Sequence, residues 1–424
     1  MDTNETIYLM NSRRINRKEL LRNLVNLRQL TFEVTDRCNL QCRYCGYGSM
    51  YYGFDERKGI NMAFEQVKGL IDYLAMIWRT NRADAPRPLT YISFYGGEPL
   101  INISFIQQLV DYIHELDLNR RIIFSMTTNG LLLNQFMDYL VTNDFHLLIS
   151  LDGSENEHSY RVDFSGNNSF YRVYKNVKIL QESYPVYFLN NVNFNAVLHD
   201  RNSVESIHSF ISKEFGKKPR ISELNSSEIR PEKRNEFAQM YRNKTECLRQ
   251  TENCQSLSDD LFMNDPSTAD LLLFLHQYSG NVFRSYNELF CEKSDITCTP
   301  TGTCSPFSKK MFVTVNGKIL QCEKIDHKYV LGRVSETELD LDSEKIANTF
   351  NHYLEKMKSQ CSACYRRHSC IQCMYYIETL DAISPKCQAY MDENDFSMYC
   401  SFCLNHLRRH PYLYRKLMEE VTVE

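Results

Sequence analysis

No apolar run in this 424-residue chain is long enough to cross a bilayer; stretches such as 271–275 fall far short of the roughly 20 residues a span needs. The opening ten residues, MDTNETIYLM, have neither a basic start nor an apolar core, so no secretory signal is visible. Charge of either sign is not in excess: 49 Lys and Arg face 53 Asp and Glu, a formal net charge of −4, which gives no field for nucleic acid. Internal repeats and low-complexity tracts are also missing, which removes solenoid and compositionally biased architectures. What is left is a globular chain expected in the cytoplasm, with no membrane or nucleic-acid partner. Its length predicts two or three structural units.

Cysteine is the residue in surplus. Sixteen cysteines in a chain without an export signal are not expected as disulfides, because the cytosol keeps thiols reduced. Three fall between Cys38 and Cys45 and ten between Cys298 and Cys403. Such grouping in a reduced compartment points to metal.

From about residue 28 the sequence alternates β-rich and amphipathic stretches. Strands are predicted over 30–35, 89–95, 121–126, 146–151 and 192–198, with a short sixth over 220–223. Helices are predicted over 62–78, 104–116, 135–142, 171–181 and 203–214. Regular β–α alternation predicts a parallel sheet with helices outside it, closed or partly closed into a barrel. Cys38, Gly96, Asn129 and Asp152 each stand just past a predicted strand end, the rim on which such barrels place their chemistry. A hairpin over 311–321 turning at Asn316-Gly317, and a helix over 344–357, are predicted in the cysteine-rich part.

Cys38-Asn-Leu-Gln-Cys42-Arg-Tyr-Cys45 has the spacing C-x3-C-x2-C. Random placement at this cysteine frequency yields the triplet roughly 0.02 times per chain. Three thiolates on one loop can bind one face of an iron–sulfur cubane and leave the fourth iron open; a zinc knuckle with a distant fourth ligand is the alternative. With Tyr44 before the last cysteine, the segment resembles the signature of the radical S-adenosylmethionine (radical SAM) family. Gly96-Gly97-Glu98-Pro99 resembles the family's GGEP element, whose glutamate engages the methionyl amine. Thr127-Thr128-Asn129-Gly130 resembles its ribose-side loop and Ser150-Leu-Asp152-Gly its fourth strand end. His158-Ser-Tyr-Arg161 offers an arginine for the methionyl carboxylate, and Asn195 and Leu198 resemble adenosine-contacting positions. The cofactor residues implied are thus Tyr44, Gly96, Gly97, Glu98, Thr128, Asn129, Ser150, Asp152, Arg161, Asn195 and Leu198.

The later cysteines resemble the SPASM extension of that family. Cys298, Cys304, Cys322 and Cys373 would hold one auxiliary 4Fe–4S cluster, and Cys361, Cys364, Cys370 and Cys387 a second. Two residues, not the usual three, separate Cys370 from Cys373, and Cys291, Cys400 and Cys403 are spare donors. A zinc ribbon built on the C-x2-C pairs is the alternative, and Cys247 and Cys254 have no partner at useful spacing. The resemblance implies a partial (β/α)6 TIM-like barrel with a C-terminal cysteine-rich SPASM domain. The organisation expected is an N-terminal extension over 1–27, the barrel over 28–225, a helical insertion or linker over 226–297, SPASM over 298–390 and a helical tail over 391–424.

It further implies S-adenosylmethionine and three 4Fe–4S clusters as cofactors, with a 5′-deoxyadenosyl radical abstracting a substrate hydrogen. The expected partners are a precursor peptide and a low-potential flavodoxin or ferredoxin. The chain looks most like maturases of ribosomally made peptides with glycine-glycine leaders, which form thioether or carbon–carbon crosslinks. Anaerobic sulfatase maturases, which make formylglycine, are the second reading, and a non-catalytic peptide-binding Fe–S protein the third. The sulfatase group carries glutamine before GGEP and aspartate after the equivalent of Cys322; here these are Tyr95 and Glu323, and Glu323 is the candidate general base. Only the basic stretch 13–22 stands out ahead of Cys38, so leader recognition is expected from the SPASM region, the insertion or a separate leader-binding protein.

Overall fold

The computed structural model describes residues 14–251, 254–261, 268, 271–272, 274–275 and 300–420. Six parallel strands lie side by side in chain order: β1 (Gln29–Thr35), β2 (Leu89–Gly96), β3 (Arg121–Thr128), β4 (His146–Ser150), β5 (Val192–Leu198) and β6 (Arg220–Glu223). The crossovers run through α2 (Phe64–Thr80), α3 (Ile103–Glu115), α4 (Leu133–Thr142), α5 (Phe170–Ser183), α6 (Pro185–Asn191) and α7 (Val204–Phe215), while α1 (Arg17–Val25) precedes β1. Each predicted strand and crossover helix lies within two residues of an observed one. The helix α6 has no forecast counterpart: it is a short element whose start is set by Pro185 at its first position.

Burial explains the strand composition. Six of the seven β1 residues are buried, as befits a strand with neighbours on both sides and both faces covered. Phe94, Phe124 and Phe145 stack with centroids 5.6 to 6.4 Å apart, and full burial of each ring contributes about 1.5–3 kcal/mol.

The sheet does not close. Its order is β10-β9-β8-β7-β1-β2-β3-β4-β5-β6, an open sheet of ten strands. The predicted hairpin is β7 (Lys310–Val313) and β8 (Lys318–Leu320), and β7 pairs in parallel with β1, from Gln29 opposite Lys310 to Phe32 opposite Val313. It therefore extends the barrel sheet and protects the edge that β1 would otherwise expose. Two short strands, β9 (Gly332–Val334) and β10 (Leu339–Asp340), continue the meander.

Two compact units result. One comprises Arg17–Leu261 and Ser305–Ile346 and contains the whole sheet; the other groups described residues of Met1–Asn16, Phe262–Cys304 and Ala347–Glu424. In the second, helices Glu393–Arg409 and Tyr412–Glu420 pack around Leu271, Phe274, Leu275, Cys403, Leu413 and Leu417. Among the described residues no helix is long and apolar enough to cross a membrane.

Candidate active site

The parallel register brings the ends of β1 to β4 to one edge, and the loop that follows β1 carries Cys38, Cys42 and Cys45. Two backbone hydrogen bonds hold it: Gln41 N–H donates to Val162 O (2.7 Å) and Arg43 N–H to Tyr160 O (3.0 Å). All three cysteines line one cavity of about 740 Å³, a volume within the usual range for small-molecule sites. Burial pushes the Cys38 thiol up to about 11 and Cys42 up to about 12, with the neighbouring Cys45 sulfur adding to both. These thiols are poor anions unless a positive centre takes up their charge.

Gly96 and Gly97 face this loop. A Cβ on Gly97 would stand 1.9 Å from Arg37 O, and Gly96, at φ +123°, has Thr35 O 2.4 Å from where its Cβ would be. Only glycine permits so close an approach. It allows Gly97 N–H to reach Thr35 O and Glu98 N–H to reach Arg37 O, both at 2.8 Å. Glu98 is wholly buried; it accepts from Thr128 Oγ1 (2.8 Å), Leu100 N–H (3.2 Å) and Asn129 N–H (2.7 Å). Burial pushes its carboxyl up to about 7 against those donors. Asn129 in turn donates to Asn39 Oδ1 at 2.7 Å and lies 3.8 Å from Cys38 Sγ.

A second buried group stands behind Cys42. Asp152 accepts from Arg161 Nε (2.9 Å) and Nη2 (3.0 Å), from Val197 N–H (2.9 Å) and from the Tyr44 hydroxyl. Burial opposes its ionisation, but the Arg161 guanidinium prevails and holds the carboxyl below the usual range. Tyr44 stacks on His199 with centroids 5.7 Å apart. Burial drives His158 down to about 3, so it is neutral; its Nδ1 faces Asp152 N–H at 3.3 Å. Ser150 ends β4 opposite Asn195 of β5, Asn195 Oδ1 accepts from Ser222, and Leu198 is wholly buried.

Residues 32–212 match the family model described as Radical SAM superfamily. The chain carries a radical SAM domain. Over 194 residues it is 29% identical to the cysteine-type anaerobic sulfatase-maturating enzyme of Clostridium novyi (strain NT), covering 45% of this chain and 49% of the relative. It is 27% identical over 194 residues to the radical SAM cyclopropyl synthase TigE of Paramaledivibacter caminithermalis, 44% of this chain and 38% of that one. The chain thus spans about half or less of these relatives' length. The solved structure of native anSMEcpe with bound AdoMet and Cp18Cys peptide superposes with a TM-score of 0.60 at 19% identity, covering 91% of this chain and 98% of that one. The shared feature is the mixed α/β fold.

A radical SAM domain implies S-adenosylmethionine and a 4Fe–4S cluster. The donor set here fits: three thiols from one loop face one cavity, which would leave one iron open. Among the described residues no group of three His, Cys, Asp or Glu side chains is arranged to hold a single metal ion. Arg161, expected at the methionyl carboxylate, gives both Nε and Nη2 to Asp152 and is buried.

In the second unit Cys361, Cys364, Cys370 and Cys387 lie near one another. Burial raises the Cys361 thiol to about 12 and also raises Cys370 and Cys387, with neighbouring cysteines adding to each shift. Met391 N–H lies 3.5 Å from Cys364 Sγ. Cys373 is raised by burial and faces Cys304. The segment bearing Cys304 is stitched there by Gly302 N–H to Gln372 O (2.9 Å) and Met374 N–H to Thr303 Oγ1 (2.7 Å). Cys403 is spent in the apolar core. Cys298 and Cys291 lie outside the described residues.

Glu323, three residues past β8, holds Lys310 Nζ through both oxygens at 2.8 and 2.9 Å. Glu33 and Arg57 escaped the sequence reading, since neither belongs to a motif. Glu33 on β1 is 2% exposed and accepts Val315 N–H at 2.9 Å. Burial raises its carboxyl to about 7, with the Val315 bond working the other way. Because the folded pKa exceeds that of the unfolded chain, stability falls as pH rises from about 4.5 to 7. Glu33→Gln is therefore expected to gain up to about 3 kcal/mol at pH 8 and nothing below pH 4.5, read from urea midpoints at the two pH values.

Proposed function

We propose that this protein is a radical SAM enzyme that modifies a side chain of a ribosomally made peptide. The observation that carries this is the single cavity shared by Cys38, Cys42 and Cys45, clasped by Glu98 through Asn129. When bound, the cluster and cofactor supply one-electron cleavage of a sulfonium C–S bond, and so a carbon radical able to abstract hydrogen. The chain's own work is placement. The three thiolates would hold the iron, and Glu98, which now accepts from Thr128, Leu100 and Asn129, would offer the methionyl amine a carboxylate whose ionisation the ammonium would favour. Tyr44, His199 and the Asp152–Arg161 pair close the floor behind Cys42 against water. A radical formed in such a site is protected from side reactions.

Within that reading we assign two auxiliary 4Fe–4S clusters, three clusters in all. The grouping of Cys361, Cys364, Cys370 and Cys387 supports one; the other rests on sequence spacing. A low-potential flavodoxin or ferredoxin would reduce the catalytic cluster, and the auxiliary clusters would carry away the electron released on product formation. Relatives named as a sulfatase-maturating enzyme and a cyclopropyl synthase, with the peptide-bound anSMEcpe structure, support a peptide substrate.

Crosslinking, as thioether or carbon–carbon bond, is preferred because both oxygens of Glu323 are taken by Lys310. Formylglycine synthesis is the second reading, favoured by the similarity to the Clostridium novyi enzyme. Glu323→Gln separates them. A crosslinking enzyme is expected to lose less than roughly tenfold in product, a change under 1.4 kcal/mol. The assay is mass spectrometry after anaerobic turnover of peptides encoded beside this gene and of a cysteine-containing sulfatase-motif peptide. Formylglycine on the latter, abolished by Glu323→Gln, would promote the second reading.

A further inference from the structure

Arg57 stands twelve residues beyond Cys45 and lines the same cavity. Its Nη2 donates to Cys45 Sγ at 3.4 Å, and its guanidinium lies 4.9 Å from the centroid of the Tyr47 ring. Nε is buried and has no hydrogen-bond partner. Among the described residues no carboxylate pairs with it, although the neighbouring acids are engaged on either side. Asp36 accepts the N–H groups of Lys58 (2.7 Å) and Ile60 (2.6 Å). Asp55 binds Lys318 Nζ at 2.5 Å and Asn316 Nδ2 at 3.1 Å, and its own N–H donates to His327 Nδ1 at 3.2 Å. The segment is thus pinned both before and after Arg57, and the arginine is aimed at sulfur.

A partly buried guanidinium without a carboxylate calls for another anion. Three thiolates around a 4Fe–4S core supply one, and their negative charge grows by one unit when the core takes an electron. Hydrogen bonds to cluster sulfurs and nearby positive charge stabilise the reduced form and raise the potential. We propose that Arg57 tunes the reduction potential of the cluster held by Cys38, Cys42 and Cys45, through its contact with Cys45 Sγ. This rests on the cluster assignment made above. Arg57 acts through its contact with Cys45 and is a positioning residue.

The test is an EPR-monitored redox titration of the full chain, anaerobically reconstituted, as wild type, Arg57→Gln and Arg57→Lys. The signal to follow is the one that the Cys38→Ala/Cys42→Ala/Cys45→Ala protein lacks. Arg57→Gln is expected to lower the reduced-to-oxidised ratio at fixed potential about tenfold, a downward shift of about 59 mV for one electron. Arg57→Lys, which keeps the charge but not the planar fork, should fall between. Should Arg57→Gln fail to assemble the cluster, the Arg57→Lys midpoint must still lie below wild type. Variants that titrate with the wild-type midpoint overturn the proposal while leaving the cluster assignment intact. A wild type without the distinguishing signal overturns both.

Discussion

Cys38→Ala/Cys42→Ala/Cys45→Ala is expected to form no detectable 5′-deoxyadenosine under reducing anaerobic conditions, while retaining the iron bound by its C-terminal cysteines. The loss should exceed about a thousandfold, since enzymes commonly accelerate their reactions roughly a millionfold or more and this change removes the site of the chemistry. Folding should survive. The loop backbone is held by Gln41 to Val162, Arg43 to Tyr160 and Glu98 to Arg37, none of which uses a cysteine side chain. Burial already disfavours the free thiolates, so uncharged alanines impose no new electrostatic cost. Circular dichroism should match wild type, and the urea transition should match that of the wild-type apoprotein. Substantial 5′-deoxyadenosine from the triple variant would place the chemistry elsewhere in the chain.

Asp152→Ala should be the most destabilising single change in the barrel unit, by about 3–5 kcal/mol. It strands the buried Arg161 guanidinium, whose Nε and Nη2 both lose their acceptor, and frees the Tyr44 hydroxyl and Val197 N–H. Removing both charges is expected to be less severe. Asp152→Ala/Arg161→Met should recover part of the loss, because a buried ion pair is worth little against a well-packed apolar replacement. Urea midpoints of the full chain, followed through the transition reported by barrel tyrosines, measure both. Tyr44 lies between Cys42 and Cys45, so the single variant should also bind less iron. A wild-type midpoint for Asp152→Ala would mean that this pair does not hold the floor of the site.

Much of this was legible in the sequence because it rested on local periodicity and on close spacing. The apolar run within 146–150 and the alternation of 192–198 mark strands, and C-x3-C-x2-C is one loop's worth of donors. The Gly-Gly-Glu-Pro segment was read as a cofactor element, and the structure adds a steric reason for its glycines in the approach to Arg37. What the sequence hid is long-range. That β7 joins β1 is a pairing across roughly 280 residues, set by register and edge protection rather than by any motif. The commitment of Arg161 to Asp152 depends on how the loop after β4 folds back, and a lone arginine gives no sign of its partner. Glu33 and Arg57 acquire their roles only from burial and from what is absent around them.

The most direct test of the central claim is the EPR spectrum of the reduced, anaerobically reconstituted full chain, recorded before and after addition of S-adenosylmethionine. An iron without a protein ligand can bind the cofactor, so the signal that depends on Cys38, Cys42 and Cys45 is expected to change shape on addition. A spectrum that ignores the cofactor, or that is the same in the triple cysteine variant, would contradict the assignment.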